Sequence, residues 1–275
     1  MAARGARGKG QRPKAKGQGL SEICVKRDML VLRVQGGFCN RLRAIVSACL
    51  WAEDLGTGLV IYWPEEPGHM ACRIDEILDT RTIPRLANFH TGYIRNARQV
   101  LSHEDMESVL DVQKLLGASD IRIESYSIFH KDLLHMTGRG LGVLRSINVL
   151  DSLRTRVDFF GEGFVGIHIR RTDHVKCIAA SPLAAFEKYL DDSEPGKYFL
   201  ATDDAGVKSM LIEKYKGKHS ILSPITRLGR MTKGQQINGV IDWLLLQRCS
   251  SIVASQGSSF SELAAWRAGI PLVCI

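Results

Sequence analysis

The run His168-Ile169-Arg170-Arg171-Thr172-Asp173 places an imidazole, two guanidiniums and a carboxylate in one short stretch. It follows an apolar segment, Phe164–Ile167, that reads as a buried strand. The strand therefore ends by presenting these groups at its C-terminal edge, where open α/β sheets bind ligands. Paired arginines there suit a diphosphate, because each planar fork binds two oxygens and never deprotonates. The plainer reading of the same residues is a salt-bridged strand end.

Four other groups have a comparable setting. Gly36-Gly37-Phe38-Cys39-Asn40-Arg41 joins an apolar strand to a helix start. Its two glycines remove side chains, so backbone N–H groups can approach an anion at the helix N-terminus. The loop is not G-x-G-x-x-G, and it also reads as a plain βα turn. Ala201-Thr202-Asp203-Asp204 closes the next strand. Its carboxylates can accept from base or sugar donors, or cap the following helix. Asp242 lies in Val240-Ile241-Asp242-Trp243-Leu244, an acid in apolar company that needs a partner. Ser255-Gln256-Gly257-Ser258-Ser259-Phe260-Ser261 joins another strand to a helix, with hydroxyls and N–H groups for a phosphate or for a cap. These groups sit at C-terminal strand ends in both halves of the chain and converge on one cleft. The sequence has no D-x-D triplet to hold a metal–diphosphate complex. Fixed cations, Arg170 and Arg171, are left to neutralise a departing diphosphate.

The elements that must position these groups follow from periodicity and punctuation. In the second half the spacing predicts strands over Phe164–Arg170, Tyr198–Thr202, His219–Leu222, Ser251–Ala254 and Pro271–Ile275. Between them it predicts helices over Pro182–Asp192, Asp204–Lys216, Asn238–Cys249 and Ser259–Ala268, the last stopped by Gly269. In the first half it predicts a strand over Met29–Val34, a helix over Asn40–Leu55 and a strand over Leu59–Trp63. Glu104–Leu116 reads as a helix, Ile121–Ile128 as a strand, and Val143–Phe160 as a helix leading into the second unit. Residues 65–100 have no clear pattern. Alternating strands and helices predict α/β architecture with two Rossmann-like, doubly wound parallel-sheet domains facing across a cleft. The domains are expected at 28–150 and 151–275.

The chain has 275 residues, 45% hydrophobic and 24% charged, which is ordinary for a globular protein with a real core. Six basic residues and no acid lie in residues 1–20, so of the net charge of +8 only +2 remains for the rest. The Gly-, Lys- and Arg-rich stretch 1–27 buries too little surface to order itself and is expected to be disordered. Nucleic-acid binding through that stretch is the competing reading, and the near-neutral remainder argues against a specific nucleic-acid partner. The stretch lacks the apolar region of a secretory signal, and no segment approaches the roughly 20 apolar residues of a membrane span. Seven cysteines, an odd number without C-x-x-C, suit reduced thiols rather than a disulfide framework or a zinc site. These features together predict a cytoplasmic location.

Taken in order, Gly36-Gly37-x-x-Asn40-Arg41, His168-x-Arg170-Arg171-Thr172-Asp173, Ala201-Thr202-Asp203-Asp204, Asp242 and Ser258-Ser259-Phe260-Ser261 resemble the α1,6-fucosyltransferase, nodulation-fucosyltransferase and protein O-fucosyltransferase superfamily. The resemblance runs from about residue 30 to 275. It implies a GT-B fold and an inverting, metal-independent glycosyl transfer. The donor would be a nucleotide sugar, GDP-fucose first and UDP-xylose as an alternative, and the acceptor an oligosaccharide or glycoprotein hydroxyl. No metal or other cofactor is implied.

Carried over, Arg170 would grip the β-phosphate, and Arg171 would stand with it. His168 and Asp242 would help hold the nucleotide, and Asp203 or Asp204 the base or ribose. Ser258, Ser259 and Phe260 would close on the diphosphate, with Gly37, Phe38 and Asn40 reaching it from the first unit. The α1,6 enzymes have a glutamate shortly after the arginine motif as the proposed base. Here residues 174–181 hold no carboxylate. That leaves Asp173, His174 or a residue of the N-terminal half as the base. A non-catalytic nucleotide-sugar or glycan-binding module is the reading in which no base is needed.

Overall fold

The computed structural model describes residues 29–91, 99–102, 121–130, 138–173, 175–225 and 228–275. Ten strands form two five-stranded sheets, each wholly parallel. The first holds β1 (Met29–Val34), β2 (Gly58–Tyr62), β3 (Leu86–His90), β4 (Gln99–Ser102) and β5 (Ile121–Ser125), in the order β3-β2-β1-β5-β4. The second holds β6 (Phe164–Ile169), β7 (Lys197–Thr202), β8 (Ser220–Leu222), β9 (Ser251–Ala254) and β10 (Leu272–Cys274), in the order β10-β9-β6-β7-β8. Parallel strands are buried on both faces and so are written as near-continuous apolar runs. The segments Met29–Val34, Gly58–Tyr62 and Phe164–Ile169 are such runs.

Eight α-helices are described: α1 (Phe38–Asp54), α2 (Arg139–Ser146), α3 (Asp151–Arg154), α4 (Val175–Ala180), α5 (Leu183–Asp192), α6 (Ala205–Tyr215), α7 (Lys233–Leu246) and α8 (Ser259–Ala268). They cover both faces of the second sheet. Ile167, Ile169, Tyr198, Leu200 and Val253 pack with Phe186 and Leu190 of α5 and Leu211 and Tyr215 of α6. The alternate residues Phe199, Ala201, Ile252 and Ala254 belong to a larger core with α7 and α8. That core continues to the α1 face of the first sheet, through Leu30, Leu32, Leu59, Ile61 and Ile123. Each such side chain contributes about 1.5–3 kcal/mol by leaving water. Close approach of α7 to the sheet requires Gly166, where a Cβ would stand 2.9 Å from Leu246 Cδ2 and 3.2 Å from Cys249 Sγ.

Several elements differ from the sequence reading. The segment Val143–Phe160 is not one helix. Residues 147–150 are spent on the segment before β3: Asp79 N–H donates to the Asn148 carbonyl at 2.8 Å, and Leu150 N–H to the Ile77 carbonyl at 2.9 Å. Val149 also bridges Leu78, so the helical ladder breaks between α2 and α3. The strand expected over Ile121–Ile128 stops at Ser125, whose hydroxyl accepts from Ser127 N–H at 3.0 Å and turns the chain. The helix expected from Asn238 begins five residues earlier, at Lys233. Thr232 and Gln235 form a capping box there, each side chain taking the other's backbone N–H. Residues 65–100 contain short 3₁₀ turns, β3 and the start of β4. The helix expected over Glu104–Leu116 lies outside the described residues, as does the whole of the stretch 1–27 expected to be disordered.

Candidate functional site

In both sheets the strand order reverses beside the first strand, between β1 and β5 and between β6 and β9. Such switch points open a crevice at the C-terminal strand ends. One cavity of about 510 Å³ meets both of them. Its wall includes Gly36 and Gly37 after β1, Tyr126 and Ser127 after β5, His168 and Arg170 at the end of β6, and Gly257 and Ser258 after β9.

The loop after β1 is built by its own sequence. Gly36 takes φ +75, a left-handed conformation that an L side chain adopts only at a cost. Arg41, fully buried in α1, donates to the Gly36 carbonyl and the Pro64 carbonyl, each at 2.7 Å, and stacks 4.7 Å from the Trp63 ring. Burial lowers its pKa to about 10, so it remains a cation. It ties the loop rather than lining the cavity. Gly37, Phe38 and Asn40 do line it, and Phe38 packs edge-on to Trp243 of α7 at 5.2 Å. Asn40 Oδ1 accepts from the Ser259 hydroxyl at 2.8 Å, joining the two loops across the cavity.

At the end of β6 the two arginines part. Arg170 enters the cavity wall, with Nη1 3.3 Å from Asp203 and Nη2 paired with Asp173. Its backbone N–H donates to Ser255 Oγ at 3.1 Å. Arg171 turns away: it donates to the Ser181 carbonyl at 2.6 Å and the Ile178 carbonyl at 3.4 Å, beneath the Phe186 ring. It holds the α4–α5 connection and does not reach the cavity.

Asp203 and Asp204 part in the same way. Asp203 lines the cavity and accepts from Arg171 N–H at 2.7 Å and from the Thr172 hydroxyl at 2.7 Å. Asp204 caps α6, accepting from Gly206 N–H at 2.8 Å and Val207 N–H at 3.0 Å. His174 lies outside the described residues.

His168 is buried in the wall, 4.9 Å from the Phe260 ring. Its Nδ1 lies 3.2 Å from Ser261 Oγ, and that hydroxyl donates onward to the Ser258 carbonyl. The hydroxyl therefore accepts from Nδ1–H, which leaves Nε2 as an acceptor. Burial first, then the positive charge of Arg170, lowers the ring's pKa to about 3, so it is neutral.

Asp242 faces the cavity from α7, and its Oδ1 is buried without a hydrogen-bond partner among the described residues. Burial, opposed only by the charge of Lys208, raises its pKa to about 8. A buried carboxyl oxygen without a donor is costly, and a ligand N–H group would supply what Oδ1 lacks. Ser258, Ser259 and Phe260 line the cavity at the N-terminus of α8, where the Ser258 side chain makes no cap hydrogen bond.

The cavity also has charged walls that the sequence reading missed. Arg230, ahead of α7, lines it and pairs with Asp173 at 2.8 Å. Arg43 of α1 lines it and pairs with Glu262 of α8. Arg43 lies in the helix that directly follows β1, where the sheet-edge rule was the available signal. Arg230 lies in the connection between β8 and α7, which that rule does not single out. Among the described residues no three His, Cys, Asp or Glu side chains gather as metal ligands. No described helix is long and apolar enough to cross a membrane. The six described cysteines are free.

No family model and no curated protein matches the sequence. Solved structures match the fold. NodZ α1,6-fucosyltransferase soaked with GDP-fucose is 18% identical over 88% of this chain and 92% of that one, with TM-score 0.57. NodZ from Bradyrhizobium is 16% identical over 87% and 93%, with TM-score 0.55. POFUT1 in complex with GDP-fucose is 10% identical over 93% and 99%, with TM-score 0.58. At these identities the likeness is one of architecture: the chain shares the fold seen in NodZ fucosyltransferase and in POFUT1.

Proposed function

We propose that the chain is an inverting, metal-independent glycosyltransferase of GT-B architecture, with fucose from GDP-fucose as its first-choice donor sugar and a glycan hydroxyl as acceptor. Residues 28–150 form the acceptor-side unit and residues 151–275 the donor-binding unit, with the cavity as the cleft between them. The observation that carries this reading is the presence, in one cavity at both switch points, of the Arg170 guanidinium and of Asp242, whose buried Oδ1 has no hydrogen-bond partner among the described residues. NodZ crystallised with GDP and soaked with GDP-fucose, and POFUT1 in complex with either, support the donor class.

The base follows from Asp242. Guanine presents two adjacent N–H donors, N1–H and N2–H, which a carboxylate accepts together. On binding they would draw the Asp242 carboxyl, its pKa raised by burial, into its ionised form. Uracil presents one N–H between two carbonyls, so a carboxylate suits guanine better. His168 Nε2 and Asp203 accept further hydroxyl or N–H donors of the nucleoside. The diphosphate lies against Arg170, with Ser258 and Ser259 at the α8 N-terminus and Gly37, Phe38 and Asn40 opposite.

In the reaction the acceptor oxygen attacks the anomeric carbon from the face opposite the diphosphate. The bond from that carbon to the β-phosphate oxygen breaks, and its electron pair leaves with GDP. Arg170 stabilises the charge that develops there, with no metal needed for that role. The acceptor proton passes to Asp173, to His174 or to a group of the N-terminal unit. Asp173 is held ionised because Arg170 and Arg230 outweigh its burial.

The reading is tested with EDTA present, by thermal shift and donor hydrolysis across GDP-fucose, GDP-mannose and UDP-xylose. A ligand at 100 times its Kd adds about 2.7 kcal/mol of stability. A response to a GDP-sugar is expected, and Arg170→Ala is expected to lower turnover about 10²- to 10³-fold with the fold intact. Unchanged turnover in Arg170→Ala would sink the mechanism. Binding without any turnover would favour a non-catalytic module, the reading that the missing carboxylate in 174–181 supports.

A further inference from the structure

Asp173 stands between two guanidiniums. One of its oxygens pairs with Arg170 Nη2, and the other lies 2.8 Å from Arg230 Nη1. Both arginines line the cavity, whereas Arg171 is committed to backbone carbonyls elsewhere. Arg43 also lines the cavity but is paired with Glu262 of α8, so the second cation beside Arg170 is Arg230, from the connection that leads into α7. That connection is held from both halves of the chain. The Arg230 carbonyl accepts from Gln236 Nε2 at 2.6 Å and from Gly68 N–H at 3.3 Å, and the capping box of Thr232 and Gln235 follows directly.

Two cations side by side need an anion between them. The carboxylate that bridges them is Asp173, half exposed. A diphosphate carries more charge and more acceptor oxygens, and its geometry matches two guanidinium forks. The other acid on Arg170, Asp203, is also engaged by Arg171 N–H and the Thr172 hydroxyl, so it stays in place. Beyond its two arginines, the contacts described for Asp173 add only its own backbone N–H, so nothing outside this turn ties it down.

We propose that Arg230 is the second diphosphate-binding cation, and that Asp173 is a resident counter-ion that the diphosphate displaces. This rests on the nucleotide-sugar reading above and adds to it a phosphate-counting role. Arg230 engages a diphosphate, and a monophosphate does not reach both forks. Displacement also releases the Asp173 carboxylate from its ion pairs at the moment the donor is in place.

The test is calorimetric titration of the full chain with GDP and with GMP. The wild type is expected to prefer GDP. Arg230→Ala is expected to lose about tenfold to a hundredfold in GDP affinity, the worth of a charged hydrogen-bond pair, with GMP affinity nearly unchanged. Arg230→Lys keeps the charge without the fork and is expected to fall between the two. It also serves if the alanine variant is poorly folded. Asp173→Asn removes the competing anion and is expected to raise GDP affinity. A GDP-to-GMP ratio in the Arg230 variants equal to the wild-type ratio overturns the assignment. Weaker GDP binding in Asp173→Asn overturns the displacement. Wild-type protein that binds neither nucleotide removes the underlying reading, and the inference with it.

Discussion

Asp242 illustrates how far single residues were legible. An acid inside Val240–Leu244 must find a partner or stay protonated, and the structure gives it no partner on Oδ1. Its pKa is about 3.9 in an unfolded chain and about 8 when folded. The folded chain therefore holds this proton more tightly. The resulting stability is complete below about pH 4 and is lost as pH rises through about 8. Asp242→Asn, isosteric and uncharged, is expected to flatten that part of the stability profile, read by denaturant unfolding across the window. A variant with the wild-type slope would falsify the assignment. Arg170, Asp203 and His168 were legible for a different reason: strand ends fix their direction. Arg171 and Asp204 share those strand ends but turn to hold a connection and cap a helix, because neighbouring residues diverge as the chain leaves a strand. Arg230 lies in a connection without a strand to orient it, so type and spacing alone did not single it out.

At the scale of elements, β1, β2 and β6 were legible because burial on both faces leaves them almost wholly apolar, with Arg33 and His168 as the polar exceptions near the strand ends. β3, written Leu86-Ala87-Asn88-Phe89-His90, is partly exposed and carries no such run. The first turns of α7 are polar (Lys233, Gly234, Gln235, Gln236), so apolar periodicity marks only its later part. The cap at Thr232 was readable as T-x-x-Q, and it fixes where the helix, and hence Arg230, begins. Thr232→Ala is expected to cost about 1 kcal/mol in denaturant unfolding and to weaken GDP binding as well. Lost stability with full GDP affinity would separate the cap from the cavity wall. The break between α2 and α3 was not legible, since it depends on backbone pairing with residues 77–79, far away in sequence.

For the whole molecule, strand–helix alternation led directly to two parallel sheets, and the sheet-edge rule led to where ligands belong. What alternation does not convey is that the α1 face of one sheet and the α7–α8 face of the other form one apolar cluster. The cavity is likewise lined from both sheets. Hydrogen exchange with saturating GDP is therefore expected to show new protection at Gly37–Asn40 and at Gly257–Phe260 together. Protection confined to the second loop would place the ligand on the second sheet alone. Under the proposed function, the same cavity would tie the lifetime of the chain to its supply of donor. It holds a buried carboxyl oxygen, Asp242 Oδ1, without a hydrogen-bond partner among the described residues, and under that function donor binding adds its own free energy to the folded state. Cellular proteases act on the unfolded fraction, so under the proposed function a cell starved of the donor is expected to degrade the protein faster, with its abundance following metabolite level without any change in its messenger RNA.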